Sequence, residues 1–136
     1  MKIAVVYYSG TGNTEQMADA LKAALAAKGS VDVFTSADFD AATTADYDAL
    51  ALGCPAMGDE VLEEGEFEPL FADMEGSLSG KKVILFGSYG WGDGQWMRDW
   101  TERTEGDGAT VVASVICNDA PDDTAISELE AAAAAL

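Results

Sequence analysis

Six consecutive residues, Ser9-Gly10-Thr11-Gly12-Asn13-Thr14, combine hydroxyls with glycines directly ahead of an amphipathic stretch. Such a loop offers an anion hydroxyl and backbone N–H donors. No Lys or Arg lies between Lys2 and Lys22, so a phosphate held here would rest on amides, on Ser9, Thr11 and Thr14, and on the positive end of a helix dipole. The Gly-Lys-Ser/Thr ending of a Walker loop is absent, and Glu15 stands where a dinucleotide pattern needs a third glycine. On these residues alone, an ordinary Ser/Gly turn ending in a helix cap is the competing reading.

Two other loops have compositions that packing does not explain. In Tyr89-Gly90-Trp91-Gly92-Asp93-Gly94 every second residue is glycine. Glycine-flanked loops lie at the surface, so a ligand ring accounts for Trp91 better than a core does; stacking adds roughly 0.5–1.5 kcal/mol beyond area burial. Trp96 and Trp100, at i and i+4, read as helix core instead. Met57-Gly58 suits a tight turn that needs positive φ. The acidic run Asp59, Glu60, Glu63, Glu64, Glu66 and Glu68 has no adjacent cation and reads mainly as a solvated face. The chain has no histidine, which removes imidazole acid–base chemistry and zinc signatures. Cys54 and Cys117 form no metal-type cluster.

These loops need elements to hold them. Ile3 to Tyr7 reads as a buried strand, and Met17, Ala18, Leu21, Ala24 and Leu25 as one helix face ending at Lys28 with Gly29 as its C′ residue. A second strand covers 31–34, a polar surface connection with room for a helical turn 36–46, and a third strand 47–54, stopped by Pro55. Phe67, Leu70, Phe71 and Met74 place a helix near 66–75. A fourth strand at 82–86, a helix from 93 to 105, a fifth strand at 109–117 and a last helix bearing Ile126, Leu129, Ala133 and Leu136 complete the alternation. That alternation predicts an α/β fold with a parallel sheet between helices. Ligands in such sheets sit at the carboxyl ends of strands, so Ser9–Thr14, Pro55-Ala56-Met57-Gly58-Asp59-Glu60, Ser88-Tyr89-Gly90-Trp91-Gly92-Asp93 and Asn118-Asp119 should converge. With strand order 2-1-3-4-5, Cys54 and Cys117 lie about 10 Å apart across the fourth strand, too far for a disulfide.

At 136 residues the chain reads as one domain, 1–136, and its 49% hydrophobic content argues against disorder despite a formal charge of −18. Seven basic residues against 25 acidic ones make nucleic acid and anionic membranes poor partners and basic proteins better ones. No secretory signal or membrane-span length is seen, so the expected protein is cytoplasmic and monomeric.

Taken together, Ser9-Gly10-Thr11-Gly12-Asn13-Thr14, the Ala56–Glu60 turn and Gly87-Ser88-Tyr89-Gly90-Trp91-Gly92-Asp93 resemble a short-chain flavodoxin of the clostridial type over essentially the whole chain. The resemblance implies a flavodoxin-like three-layer sandwich and a noncovalent FMN electron carrier serving redox enzymes. It also implies site roles. Ser9, Thr11, Asn13 and Thr14 would bind the FMN phosphate while Gly10 and Gly12 let the backbone close around it. Met57 and Trp91 would cover the two faces of the flavin, Glu60 would accept from flavin N3, and Asn118 and Asp119 would border the ring. The Gly58 peptide would flip on reduction to accept from N5. Two departures stand out: Tyr8 replaces a familiar Trp, and Pro55 replaces a Ser that can add a phosphate contact.

Electrostatics agrees with a low-potential carrier. A unit charge about 10 Å away at an effective dielectric near 20 costs roughly 1.7 kcal/mol, and a few such carboxylates would lower the last reduction step by on the order of 100 mV. A flavin-dependent reductase on the same fold is the main rival, but it would need an open substrate pocket over the flavin. A phosphoacceptor domain would want acidic residues where Ser9-Gly10 and Cys54-Pro55 stand.

Overall fold

The computed structural model describes residues 1–136. Five parallel strands form one sheet in the order β2-β1-β3-β4-β5: β1 Lys2–Tyr7, β2 Ser30–Thr35, β3 Ala49–Gly53, β4 Lys82–Tyr89 and β5 Thr110–Asn118. Helices α1 Asn13–Leu25, α2 Phe67–Met74 and α3 Gln95–Gly106 lie between strands in sequence, and α4 Asp123–Ala134 follows β5. This is the expected α/β sandwich and strand order.

The near-continuous apolar runs of β1, β3 and β4 follow from burial on both faces. Alternate residues serve opposite layers. Ala4, Val6, Leu50, Leu52, Val83 and Leu85 pack with Phe67, Phe71 and Met74 of α2 and Trp96, Met97 and Trp100 of α3. Ile3, Val5, Ala49, Ala51, Ile84 and Phe86 pack with Met17, Ala18, Leu21 and Leu25 of α1 and with Ala125, Leu129, Ala132 and Ala133 of α4. In the first layer Trp100 meets Phe67 and Phe71 edge-on, at centroid separations of 5.4 and 5.8 Å. Pro69 falls in the first turn of α2, where a missing N–H costs nothing.

Three expectations need correction. The 36–46 connection does contain a helical turn, a 3-10 helix over Ala41–Asp46, but it is not all surface: Phe39 and Thr44 are buried, and Phe39 packs against Phe34 at 5.2 Å. The first helix ends at Leu25 with Ala26 as a right-handed cap. Gly29 is not its left-handed C′ residue; a side chain there would run into the Met1 carbonyl. Tyr47, placed in the third strand, precedes β3 and donates its hydroxyl proton to Asp32 at 2.9 Å. Cys54 and Cys117 are both buried and free, with β4 between β3 and β5.

Candidate functional site

Beyond β1, the Tyr8 amide donates to the Gly53 carbonyl at 2.9 Å and holds the chain against β3 for one more residue. The loop then turns into α1 through Gly12, the N-cap, at φ 95, a left-handed conformation that glycine adopts without steric cost. Gly12 has no side chain with which to cap. Ser9 does so instead, its Oγ accepting from the amides of Gly12 (3.1 Å) and Glu15 (3.2 Å). The amides of Gly10, Thr11, Asn13 and Thr14 donate to no acceptor in the protein. An ordinary cap therefore accounts for Ser9 and leaves four converging donors at a helix N-terminus, an arrangement suited to an anion. Thr14 is buried beneath the loop.

The loops after β3, β4 and β5 are laced into one body. The Ala56 amide donates to the Ser88 carbonyl (3.0 Å) and the Asp119 amide to the Tyr89 carbonyl (2.9 Å). Ser88 Oγ donates to the Asp119 carbonyl at 2.6 Å, and Asn118 Nδ2 to the Tyr89 carbonyl at 3.3 Å. Met57 and Val61 exchange both backbone hydrogen bonds (2.9 and 3.0 Å), closing a turn over Gly58, Asp59 and Glu60. Gly58 has φ 50 in that turn. Glu60 (φ 58) and Asp119 (φ 56) are the two non-glycine residues of the chain with positive φ, and both stand in these loops, where backbone strain characteristically gathers.

A cleft of about 220 Å³ opens between the loops, lined by Gly10, Thr11, Asn13, Pro55, Ala56, Met57, Ser88, Tyr89, Gly90 and Asp119. Every one of these residues belongs to the set expected to converge. Trp91, next to Gly90, is 64% exposed and Met57 39% exposed, so two large apolar side chains face solvent at the cleft. The remaining expected residues lie around it. Ser9, Gly12 and Thr14 build the first loop from behind. Gly58 and Asp59 border an adjoining acidic hollow with Glu63 and Glu64. Gly92 leads toward α3, and Asp93 pairs with Arg98 at 3.0 Å.

The acidic run is more organised than a solvated face. Glu60 Oε1 accepts from the amides of Asp93 (3.2 Å), Gly94 (3.1 Å) and Gln95 (3.1 Å) at the start of α3. Glu63 does the same for α2, accepting from Gly65, Glu66 and Phe67, each at 2.8 Å. Partial burial raises the Glu63 pKa, but those three donors outweigh it and hold the carboxyl below its usual range. Glu68 has a cation after all: Arg103 grips it at 2.7 and 2.8 Å and reaches Glu75 as well, at 2.6 and 3.1 Å. Sequence reading missed Glu63 and Arg103. The usable signal for Glu63 was its place just ahead of a helix start, where carboxylates are favoured; Arg103 carried none, because its partners lie on another helix. Burial pushes the Cys54 thiol up to about 12, so it stays protonated at neutral pH and offers no nucleophile.

Comparison with known proteins bears on this geometry. The family model described as Flavodoxin matches residues 5–132. The flavodoxin of Megasphaera elsdenii is 50% identical over 122 residues, covering 89% of this chain and 89% of that protein. The flavodoxin of Clostridium beijerinckii is 50% identical over 121 residues, 88% of each. The solution structure of two-electron reduced Megasphaera elsdenii flavodoxin superposes with a TM-score of 0.90 at 48% identity, covering 98% of this chain and 99% of that one. Oxidised flavodoxin 2 from Bacillus cereus gives 0.85 at 32% identity, covering 99% and 97%. With the sheet order, the four-donor loop and the laced cleft all in place, the chain belongs to the flavodoxin family.

Proposed function

We infer that the cleft between the loops after β1, β3, β4 and β5 is the seat of FMN, and that the chain, as a single domain, works as a low-potential one-electron carrier. Membership of the family makes it an FMN-binding electron carrier; the assignment of residues is our own. The observation that carries it is the set of four unpartnered amides running from the loop after β1 into the first turn of α1, three of whose residues, Gly10, Thr11 and Asn13, line the same cleft as Met57 and Gly90.

The residues present fit the group. The amides of Gly10, Thr11, Asn13 and Thr14, with the hydroxyls of Thr11 and Thr14, would hold the phosphate, and Gly10 and Gly12 have open space where a side chain would otherwise stand. Ser9 shapes this cradle by capping α1. Pro55, Ala56, Ser88, Tyr89, Gly90, Asn118 and Asp119 would line the ribityl chain and the ring edge, and Met57 and Trp91 would close on its faces, excluding water there. Once bound, FMN supplies the redox chemistry through its ring system. The chain's own contribution is positional. The Gly58–Asp59 peptide makes no hydrogen bond within the protein, and glycine at φ 50 can turn its carbonyl toward the cleft at low cost. Glu60 Oε2 accepts no bond in the protein and would be free for a ring N–H.

Basic docking faces on redox enzymes match the charge of −18, and we take the carrier to be a cytoplasmic monomer with no turnover reaction of its own. Stepwise photoreduction of the FMN-loaded protein tests the redox assignment. Two resolved one-electron steps are expected, the second at lower potential than in free FMN. A single two-electron step at the free-flavin potential would overturn it.

A further inference from the structure

Helix α3 lacks a cap of its own: its N-cap is Gly94, at φ 95. The acceptor that serves its first amides comes from a different loop, 33–35 positions back in the chain, as Glu60 Oε1. Glu60 holds a left-handed backbone to do this, a conformation that non-glycine residues seldom occupy. The facing segment is shaped to receive it. A Cβ on Gly92 would collide with the Glu60 carboxylate, and Gly92 itself has φ +91. The same carboxylate therefore dictates a glycine beside Trp91 and caps the helix that follows.

We propose that Glu60 is a positioning residue: its carboxylate latches the Met57–Val61 turn to the N-terminus of α3, fixes the Trp91 loop against that turn, and confines movement to the Gly58–Asp59 peptide. This rests on the reading of the cleft as the FMN seat, and it adds to the contact with the ring a second task for the other carboxylate oxygen. The fixed points surround the mobile one. Met57 and Val61 are bonded to each other, Ala56 to Ser88, and Tyr89 to Asp119. Glu60 supplies the remaining anchor. With it in place, Met57 and Trp91 keep their separation while one peptide rotates; without it, the slot loses its width.

Amide hydrogen exchange by NMR on the FMN-free protein tests the latch independently of the cofactor, comparing wild type with Glu60→Gln, Glu60→Ala and Gly92→Ala. Losing charge-assisted bonds should speed exchange at Gly94 and Gln95 about tenfold or more in Glu60→Ala. Glu60→Gln, whose amide oxygen can accept the same bonds, should stay nearer wild type. Gly92→Ala should open the same amides with Glu60 intact. Unchanged exchange at Asp93, Gly94 and Gln95 in Glu60→Ala, or equal loss in the Gln and Ala variants, overturns the proposal. FMN titration of wild type separates the two ideas. Failure to bind would remove the FMN reading and leave the latch standing, whereas normal binding with unchanged exchange would remove the latch alone.

Discussion

Trp91 and Trp96 are neighbours in sequence that meet opposite surroundings. The first is 64% exposed in a glycine-rich loop; the second is 1% exposed, with its indole N–H donating to the Cys54 carbonyl at 3.1 Å. Truncating them should separate binding from stability. Trp91→Ala should leave the denaturation midpoint of the FMN-free protein within about 0.5 kcal/mol while weakening FMN binding several-fold or more, in line with stacking worth roughly 0.5–1.5 kcal/mol. Trp96→Ala should cost about 3–5 kcal/mol of stability. Equal losses of stability in the two variants, or unchanged FMN binding in Trp91→Ala, would remove the distinction. A second residue-scale expectation concerns Asp107, at the end of α3. Burial and the adjacent Glu75 carboxyl push it up to about 6 from an ordinary 3.8. The native state thus keeps a proton that the unfolded chain gives up, and this contribution to stability is lost as the pH rises from about 4 through 6. Glu75, held below its ordinary 4.5 chiefly by its hydrogen bond to Arg103, works in the opposite sense and loses its share as the pH falls below that value. Urea midpoints of Asp107→Asn should therefore gain on wild type as the pH rises from about 4 to 7, and parallel profiles would refute the raised Asp107 carboxyl.

At the scale of elements, helix starts depend on borrowed acceptors more than on local caps. Ser9 serves α1, Glu63 α2 and Glu60 α3; only α4 has its cap in place, with Asp122 accepting from the Ala125 amide at 2.8 Å. Asp122→Ala should cost about 1 kcal/mol, read as a shift in the thermal or urea midpoint with FMN binding unchanged. This pattern explains what could be read from the sequence. The strands and the buried helix faces were legible, because burial on both sides produces unbroken apolar runs and a helix against a sheet produces a repeating stripe. The site was legible as loops, since glycine and hydroxyl residues gather where strand ends meet helix starts. Phe39 and Thr44 were not, because one aromatic in a polar run carries no periodicity, and its partners Phe34 and Tyr47 flank the segment instead of lying within it. The end of α1 was misplaced for a related reason: Gly29 has a packing role against Met1 that mimics a capping signature. Carboxylates that cap from a distance look, in sequence, like the solvated acids beside them.

Across the whole molecule the lysines keep to one end. Lys2 and the Lys81-Lys82 pair start or precede β1 and β4, Lys22 and Lys28 lie at the end of α1 and just before β2, and Lys28 and Lys81 are tied to backbone carbonyls at 2.9 and 2.6 Å. All five lysines thus sit at the end of the sheet opposite the cleft, while Asp59, Glu60, Glu63, Glu64, Glu66, Asp93 and Asp119 gather at the cleft end. Such a field should orient a basic partner toward the cleft end before contact. Electron transfer to a basic haem protein should accordingly slow about tenfold or more between about 10 mM and 0.5 M salt; a salt-independent rate would argue against steering. No helix is long and apolar enough to cross a membrane. The central claim, that the four free amides at the entry to α1 and the Met57–Trp91 slot hold FMN, is tested most directly by titrating the FMN-free protein with FMN and, in parallel, with riboflavin, following flavin fluorescence. The predicted result is saturable one-to-one quenching by FMN and much weaker binding of riboflavin, which lacks the phosphate. No quenching at excess FMN, or equal affinity for the two flavins, would contradict the account.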